Sequence, residues 1–395
     1  MFIYNRRQIM NQYLVGLSIV LLFATTISAN ADITIGVSIS TTGPAASLGI
    51  PNKNALSLAP TVIAGQKIRY ITLDDASDTT TAVQNVKRLI SEDKIDILLG
   101  PSVTPTTLAV IETVASNRTA LISYGSASAI VAPMDSKKHW VFKTTPNDEI
   151  YAAAMINHMA KKNVKTIAMI AVDDPYGESW IAVTRKRAAE KGIKIQAIEK
   201  FQRSDTSSIA QALRAMKGHP DAILVIASGT PAVIPHRALV EHGYKGKIYQ
   251  TGGAANADFL RLGGKAVEGA YLPAPTLIIA EQLPNGYPTK QTALEFLKIF
   301  EAKFGPGSRS TFAGHLWDAV KLLEDAIPAA LKKAKPGTVQ FREALRTSLE
   351  NCKGVKGVSA VYTMSPNDHS GINQLGVAMI KIEQGGWKLD DYAKF

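Results

Sequence analysis

The chain has 395 residues, 46% of them hydrophobic, with 44 lysines and arginines against 33 acidic residues and a formal net charge of +11. Its single cysteine, Cys352, excludes an intramolecular disulfide and cysteine-based zinc sites, and the seven histidines show no HExxH-type spacing, so metal catalysis is not expected. The positive charge is scattered over Lys137-Lys138, Lys161-Lys162, Arg185-Lys186-Arg187 and Lys332-Lys333, which reads as solvated helix faces and not as a nucleic-acid surface.

In chain order, Arg6 and Arg7 precede an uncharged stretch from Tyr13 to Ile27 and then Ala29-Asn30-Ala31, the pattern of a secretory signal peptide cut after Ala31. The apolar stretch is short for a membrane span, so a retained anchor is the weaker reading. Cleavage would leave about 364 residues with a charge of about +9, an exported chain large enough for two domains. From Asp32 onward β-branched runs alternate with amphipathic stretches. ITIGVSIS is followed by a helix near 47–63, KIRYITL by one near 79–92, IDILLG by one near 105–116, and then comes ALIS. WVFKTTPND, 140–148, interrupts the pattern and marks a first domain crossing. A second series follows: helix 148–161, TIAMIAV, helix 178–191, IKIQAI, helix 207–217, AILVIAS, helix 231–242 and KIYQT. Residues 272–289 read as a proline-rich loop, three helices follow (289–304, 310–333, 338–350), and VSAVYTM, QLGVAMIKI and Trp387-Lys388-Leu389 return to strand. Strands separated by helices of this length cannot be hairpins, so they are expected to lie parallel in covered sheets. The fold class is α/β, twice over.

In open parallel sheets ligands sit beyond the carboxyl ends of the strands, and those ends share a chemistry here. IDILLG leads into Pro-Ser102-Val-Thr104-Pro, and AILVIA into Ser-Gly-Thr230-Pro. In both, Thr precedes Pro and an apolar-periodic helix, which predicts Thr104 and Thr230 as N-caps with Pro105 and Pro231 at the first helical position. A helix start offers unpaired N–H groups and the positive end of a dipole, and the hydroxyls of Ser102 and Thr104 add donors: together, a cradle for a small carboxylate. The plainer alternative is that Thr104 only caps its helix. Other strand ends are equally small, hydroxylated or glycine-rich: Tyr124-Gly125-Ser126-Ala127-Ser128, Asp173-Asp174-Pro175-Tyr176, and Thr251-Gly252-Gly253-Ala254-Ala255-Asn256.

The run STTGPAASLG, then LDDASDTTTAVQNVKRLISEDKIDILLGPSVTPTTLAV, ISYGSASAIVAP, VDDPYGESW, ASGTPAVIPHRALVEHGYKGKIYQTGG and GGKAVEG, resembles the periplasmic substrate-binding proteins of the branched-chain amino acid class that feed ABC importers. The resemblance covers essentially the whole mature chain. It implies a type I periplasmic-binding fold: two doubly wound parallel-sheet lobes joined by three hinge crossings and closing like a flytrap. The expected boundaries are 32–146 plus 274–362 for the N-terminal lobe and 147–273 plus 363–395 for the C-terminal lobe. By resemblance Thr104 binds the ligand carboxylate, aided by the backbone of Ser102 and of the Gly125, Ser126, Ala127 and Ser128 loop, with Ser126 or Ser128 as the alternative hydroxyl. Tyr176 covers the ligand from the second lobe, and Thr230, Gly253 and Ala254 line it there.

One departure matters for the ligand. Amino acid binders of this family usually place an acid in the loop that reads Gly253-Ala254-Ala255 here, to pair the α-ammonium. A buried ammonium without a partner is costly, so a carboxylate lacking that amine, an aromatic or other apolar organic acid, is expected unless Asp173, Asp174 or another acid substitutes. No GxSxG, P-loop or GxGxxG motif is present; Asp74-Asp75 and Asp173-Asp174 suit turns and caps better than paired acid/base work, and His315 suits a structural helix position, so no catalytic residue is expected. The partners implied are a small carboxylate and the permease and ATPase of an importer, with the protein a periplasmic monomer that needs no cofactor. A ligand-sensing module for a receptor or histidine kinase uses the same fold and is the alternative. The chain ends at Phe395 with no further apolar span, which favours a diffusing carrier.

Overall fold

The computed structural model of the protein describes residues 32–393; the signal peptide expected over 1–31 lies outside the described residues. The first sheet has the order β2-β3-β1-β4-β5-β6, formed by β1 (Ile33–Ile39), β2 (Val62–Ile63), β3 (Gln66–Asp74), β4 (Ile97–Leu99), β5 (Ala120–Ser123) and β6 (Val141–Lys143). All its pairings are parallel except the β2–β3 hairpin. That hairpin corrects the expected helix over 47–63: α1 (Ala46–Leu56) stops early, and Ala64-Gly65, both at positive φ, turn the chain.

The second sheet has the order β15-β14-β11-β10-β9-β7-β8. Its strands are β7 (Thr166–Val172), β8 (Lys194–Phe201), β9 (Ala222–Ile226), β10 (Lys247–Gln250), β11 (Tyr271–Pro275), β14 (Val377–Glu383) and β15 (Gly386–Tyr392). The first five lie parallel and the last two antiparallel. Residues 272–275, the start of the expected loop 272–289, belong instead to strand β11 despite two prolines. Lacking their N–H groups, Pro273 and Pro275 leave only Tyr249 and Tyr271 paired toward β10, while the β14 side pairs along its whole length.

Helices cover both sheets, and β strands buried on two faces read as continuous apolar runs for that reason. One core packs α4 (Asp148–Lys161), α5 (Pro175–Glu190), α6 (Ile209–Met216), α7 (Val233–Glu241) and α8 (Ala257–Gly263) on the second sheet around Trp180, Met155 and Ile170. On the first sheet, α2 (Thr79–Ser91) and α3 (Thr104–Ser116) cover one face through Val86, Leu89 and Val110. The other face meets α9 (Lys290–Phe304), α10 (Thr311–Leu331) and α11 (Val339–Glu350). Each Val, Leu or Ile side chain so buried contributes about 1.5–3 kcal/mol of transfer free energy, which is how a disulfide-free chain of this size holds together.

The chain passes from the first sheet to the second after β6, returns after β11, and crosses again before β14. The last crossing is later than the expected 362/363 boundary: Met364 and Ile372 pack into the first-sheet core, and Val377 is the first residue back in the second. The hairpin of β12 (Val355–Lys356) and β13 (Val361–Tyr362) lies within the expected span, and the residues after it stay with the same lobe: the Met364 N–H donates to the Cys352 carbonyl (3.0 Å) and the His369 carbonyl accepts from the Lys143 N–H (3.1 Å). The buried Asp318 carboxylate on α10 accepts hydrogen bonds from the Val358 and Ser359 N–H groups and from the Tyr362 hydroxyl, pinning the hairpin to the first lobe.

Candidate functional site

The strand order reverses between β1 and β4 in the first sheet and between β7 and β9 in the second, and a crevice lies where these carboxyl ends face each other. It is a narrow slot, a cavity of about 30 Å³.

On the first-sheet side the turn after β4 begins at Gly100, whose φ of +88° and whose hypothetical Cβ, 2.0 Å from the Ser38 carbonyl oxygen, admit only glycine. The hydroxyls that follow divide in function. Ser102 Oγ donates to Asn52 Oδ1 (2.9 Å), Asn52 in turn donates to the Phe312 carbonyl (2.6 Å), and Thr106 and Thr107 bond back to the Val103 carbonyl. Thr104 alone is left: its Oγ1 is buried and without a partner. The N-cap expectation is corrected here, because Val103 is the N-cap, Thr104 is the first helical residue, and no side-chain cap is made. The extended Val103 directs the Thr104 side chain into the crevice, beside the unsatisfied N–H groups of the first turn of α3.

The loop after β5 approaches this helix start closely. A Cβ on Gly125 would lie 3.2 Å from both N and Cα of Thr104 and 2.6 Å from Ile130 Cδ1, so a larger residue would push the loop off the helix start or displace Ile130. Its carbonyls are already engaged: that of Tyr124 accepts from Thr145 Oγ1 (2.7 Å), and that of Ser126 from Lys143 Nζ (2.7 Å) and the Asp148 N–H (3.1 Å). Ser126 Oγ and the Tyr124 hydroxyl, both buried, have no partner. From α10, Thr311, Phe312 and His315 close the wall. Burial drives the His315 pKa down to about 3, so the ring is neutral.

On the second-sheet side Tyr176 and Trp180 project from α5, Tyr151 from α4, Arg203 from the loop after β8, and Ser228 and Gly252-Gly253 from the ends of β9 and β10. Asp174 caps α5 through the N–H groups of Tyr176 and Gly177 and also binds the Arg203 guanidinium at 2.6 Å. Arg203 donates further to Ser228 Oγ (2.9 Å) and stands 6.0 Å from the centroid of the Tyr176 ring. The Tyr176 hydroxyl donates to Thr251 Oγ1 (2.7 Å), so Tyr176 presents its ring and not its oxygen. Trp180 is fully buried, lies 6.1 Å from and nearly parallel to Tyr151, and leaves its Nε1–H, a donor only, without an acceptor.

Of the residues singled out in the sequence, Ser102, Thr104, Gly125, Ser126, Tyr176 and Gly253 line the slot. Ala127, Ser128, Thr230 and Ala254 do not. Ser128 turns to Asp148, which accepts from both its N–H (3.1 Å) and its Oγ. Thr230 lies in a 3₁₀ turn, Thr230–Ala232, capped by Gly229 and not by its own hydroxyl, and its N–H donates to Ser47 Oγ (3.2 Å) from the first lobe. Ala254 is buried behind Gly253. Sequence reasoning passed over Arg203, which sits in an unremarkable FQRSD loop, and Tyr151, Trp180 and Phe312, whose helical spacing matches ordinary core positions. Only their meeting across the slot distinguishes them.

The acid pairs behave as turn and cap residues. Asp74 accepts from the Thr41, Thr42 and Ala76 N–H groups, Asp75 from Ser40 Oγ (2.6 Å) and the Ser77 N–H, and Asp173 pairs with Lys200 (3.1 Å). None of them lines the slot, and neither does any other carboxylate. Among the described residues no helix is long and apolar enough to cross a membrane.

Two α/β sheets facing each other across a donor-lined slot, with the backbone crossing between them three times, define a bilobed binding protein of the type I periplasmic class. The chain belongs to the periplasmic binding protein family, whose model matches residues 32–386. It is similar to an extracellular ligand-binding receptor from Rhodopseudomonas palustris HaA2, 40% identical, with a TM-score of 0.88, covering 91% of this chain and all of that one. The fold is shared at 20% identity with the branched-chain amino acid transporter substrate-binding protein of Streptococcus pneumoniae solved with isoleucine (TM-score 0.78; 92% of this chain, 99% of that one). It is shared at the same identity with a solute-binding protein of an ABC transporter from Rhodopseudomonas palustris BisB5 solved with 3,4-dihydroxybenzoic acid (TM-score 0.79; 92% of this chain, 97% of that one). A curated relative, the extracellular calcium-sensing receptor of Sus scrofa, is 24% identical over 337 residues; the match takes in 78% of this chain but spans only 30% of the receptor. The family and these structural neighbours are binding proteins and not enzymes.

Proposed function

We propose that this is an exported, monomeric solute-binding protein of the periplasm that captures a small carboxylate lacking an α-amine, with an aromatic or otherwise flat apolar body, and delivers it to the permease and ATPase of an ABC importer. The observation that carries the ligand chemistry is the slot's polarity. Its unpartnered buried groups are the Thr104, Ser126 and Tyr124 hydroxyls, the Trp180 indole N–H and Nδ1 of the neutral His315, which donates or accepts according to its tautomer; Arg203, paired with Asp174, adds a guanidinium, and no carboxylate lines it. The substitutes considered for pairing an ammonium are already engaged, Asp174 by Arg203 and Asp173 by Lys200. A ligand ammonium there would be buried beside a guanidinium, which costs several kcal/mol, on the order of what a whole charge-assisted hydrogen bond contributes. A carboxylate gains at each of these donors.

In this reading the carboxylate sits against Thr104, Ser126 and the helix start of α3. The ring lies among Tyr151, Tyr176, Trp180 and Phe312, and a second acceptor on the far end of the ligand meets Trp180 Nε1 and Arg203. Tyr151 and Trp180 set as near-parallel rings suit a flat body. The neighbour bound to 3,4-dihydroxybenzoic acid is one instance of this fold holding such an acid. The lobes that close on the ligand are taken as 32–146 with 274–372 and 147–273 with 373–393. Closure is favoured because ligand contacts from the second lobe exist only in the closed state. Likeness to the calcium-sensing receptor keeps a second reading, ligand sensing for a receptor or kinase. Permease and ATPase genes beside this one support import; a kinase gene alone supports sensing.

The test is thermal-shift screening of the mature protein against benzoate, 4-hydroxybenzoate, 3,4-dihydroxybenzoate, phenylpropenoate, leucine and isoleucine. Ligand at 100 times its Kd stabilises by about 2.7 kcal/mol, a shift easily read. Acids without an amine are expected to raise the melting temperature and the two amino acids are not; the opposite pattern refutes the proposal.

A further inference from the structure

Lys143, the last residue of β6, is 0% exposed, and its Nζ donates to the carbonyls of Ser126 (2.7 Å) and Ala127 (3.4 Å), the backs of the same loop whose front lines the slot. A buried ammonium ordinarily sits against a carboxylate, because an unpaired interior charge costs several kcal/mol. Here Asp148 and Asp368 act on it only through space; the Asp148 oxygens are taken by Ser128 and Ser179. The lysine therefore gives its donors to two peptide carbonyls of this loop; the loop's Tyr124, Gly125 and Ser128 N–H groups are bonded to the Pro101 carbonyl, Ser123 Oγ and Asp148, and the Ser126 hydroxyl is left unpartnered at the slot.

We infer that Lys143 is a positioning residue and the internal counter-charge of the site: its ammonium, one loop behind the Ser126 hydroxyl, holds that loop in its anion-binding orientation and balances the carboxylate of a ligand that arrives in front. The inference rests on the carboxylate reading above and adds a proton linkage to it. Without an anion, burial lowers the Lys143 pKa to about 7, so the site is only partly charged near neutral pH. An anion in front of the loop favours the charged form, so binding takes up a proton. The other groups facing the lysine do not supply that proton change. The His315 ring is buried and neutral, with its pKa near 3; His369, whose carbonyl accepts the Lys143 backbone N–H, is also shifted down by burial. The remaining groups acting on it are the Asp148 and Asp368 carboxylates.

The experiment is titration calorimetry of the mature protein with 4-hydroxybenzoate and benzoate, at about pH 6.5 and pH 8.5, in two buffers of different ionisation enthalpy, on wild type, Lys143→Met and Lys143→Arg. The carboxylates of both probes stay ionised over this range. Wild type is expected to take up a fraction of a proton at the higher pH and to bind about tenfold more weakly there than at pH 6.5. Lys143→Met is expected to keep or raise its melting temperature, since a lone buried charge is gone, while losing about tenfold or more in affinity at pH 6.5 and all proton uptake. Lys143→Arg is expected to make affinity independent of pH. If Met fails to fold, the buffer dependence of the wild type decides alone. Binding with no proton uptake and no pH dependence overturns the role of Lys143 and leaves the carboxylate reading standing; failure of both acids to bind overturns the two together.

Discussion

Thr104→Val tests the site most directly, because it removes one oxygen and keeps the shape. In the protein that oxygen is buried and hydrogen-bonded to nothing, and Val103, not Thr104, terminates the helix. Deleting an unsatisfied buried hydroxyl relieves a desolvation cost of about 1–3 kcal/mol, so the ligand-free variant should melt at the wild-type temperature or above it. A hydrogen bond from this hydroxyl to a carboxylate is worth about 1.5–3 kcal/mol, so affinity for the best acid of the thermal-shift panel should fall roughly ten- to hundredfold. Calorimetry of the ligand-bound state and differential scanning of the free protein measure the two sides separately. A fall in melting temperature with unchanged affinity would make Thr104 a helix-start residue and nothing more, and the proposed carboxylate position would be wrong.

Ser102→Ala should behave in the opposite way: its hydroxyl serves Asn52 and the Ser40 N–H, so about 1 kcal/mol of stability is expected to go while affinity changes little, read by the same two assays. Gly253→Ala places a Cβ 2.4 Å from Ser228 Cβ and 3.2 Å from the Tyr176 hydroxyl, and should narrow the slot enough to weaken acid binding by tenfold or more with the fold intact by circular dichroism; wild-type affinity would show that this wall does not meet the ligand. Stability should fall with acid. His236 and His315 titrate at about 4 and about 3 in the folded protein against about 6.5 unfolded, so the unfolded state binds more protons and stability is lost as the pH drops from about 6.5 toward 4. Lys143 adds a separate limb, losing stability as pH falls from about 10.5 to about 7, and Lys143→Met should flatten that limb in melting temperatures taken across pH.

What the sequence determined by itself was periodic and local. Runs of β-branched residues bounded by amphipathic stretches specify parallel strands and covering helices, because a strand buried on both faces has no polar position to spare. The small and hydroxylated strand ends pointed to the crevice for the same reason, since backbone can approach a ligand only where side chains are short. Hydroxyl counting could not separate Ser102 from Thr104, because that difference lies in Asn52, fifty residues away and adjacent only after folding. Nor could it show that Arg203 and Trp180 reach the slot, that Asp174 is already paired, or that Lys143 lies behind Ser126. Those facts concern which groups end up near one another, and proximity across tens of residues is set by tertiary packing and by no local spacing. The tertiary structure decided what the slot presents: it gathered unpartnered polar groups and one guanidinium there and left its lining without a carboxylate.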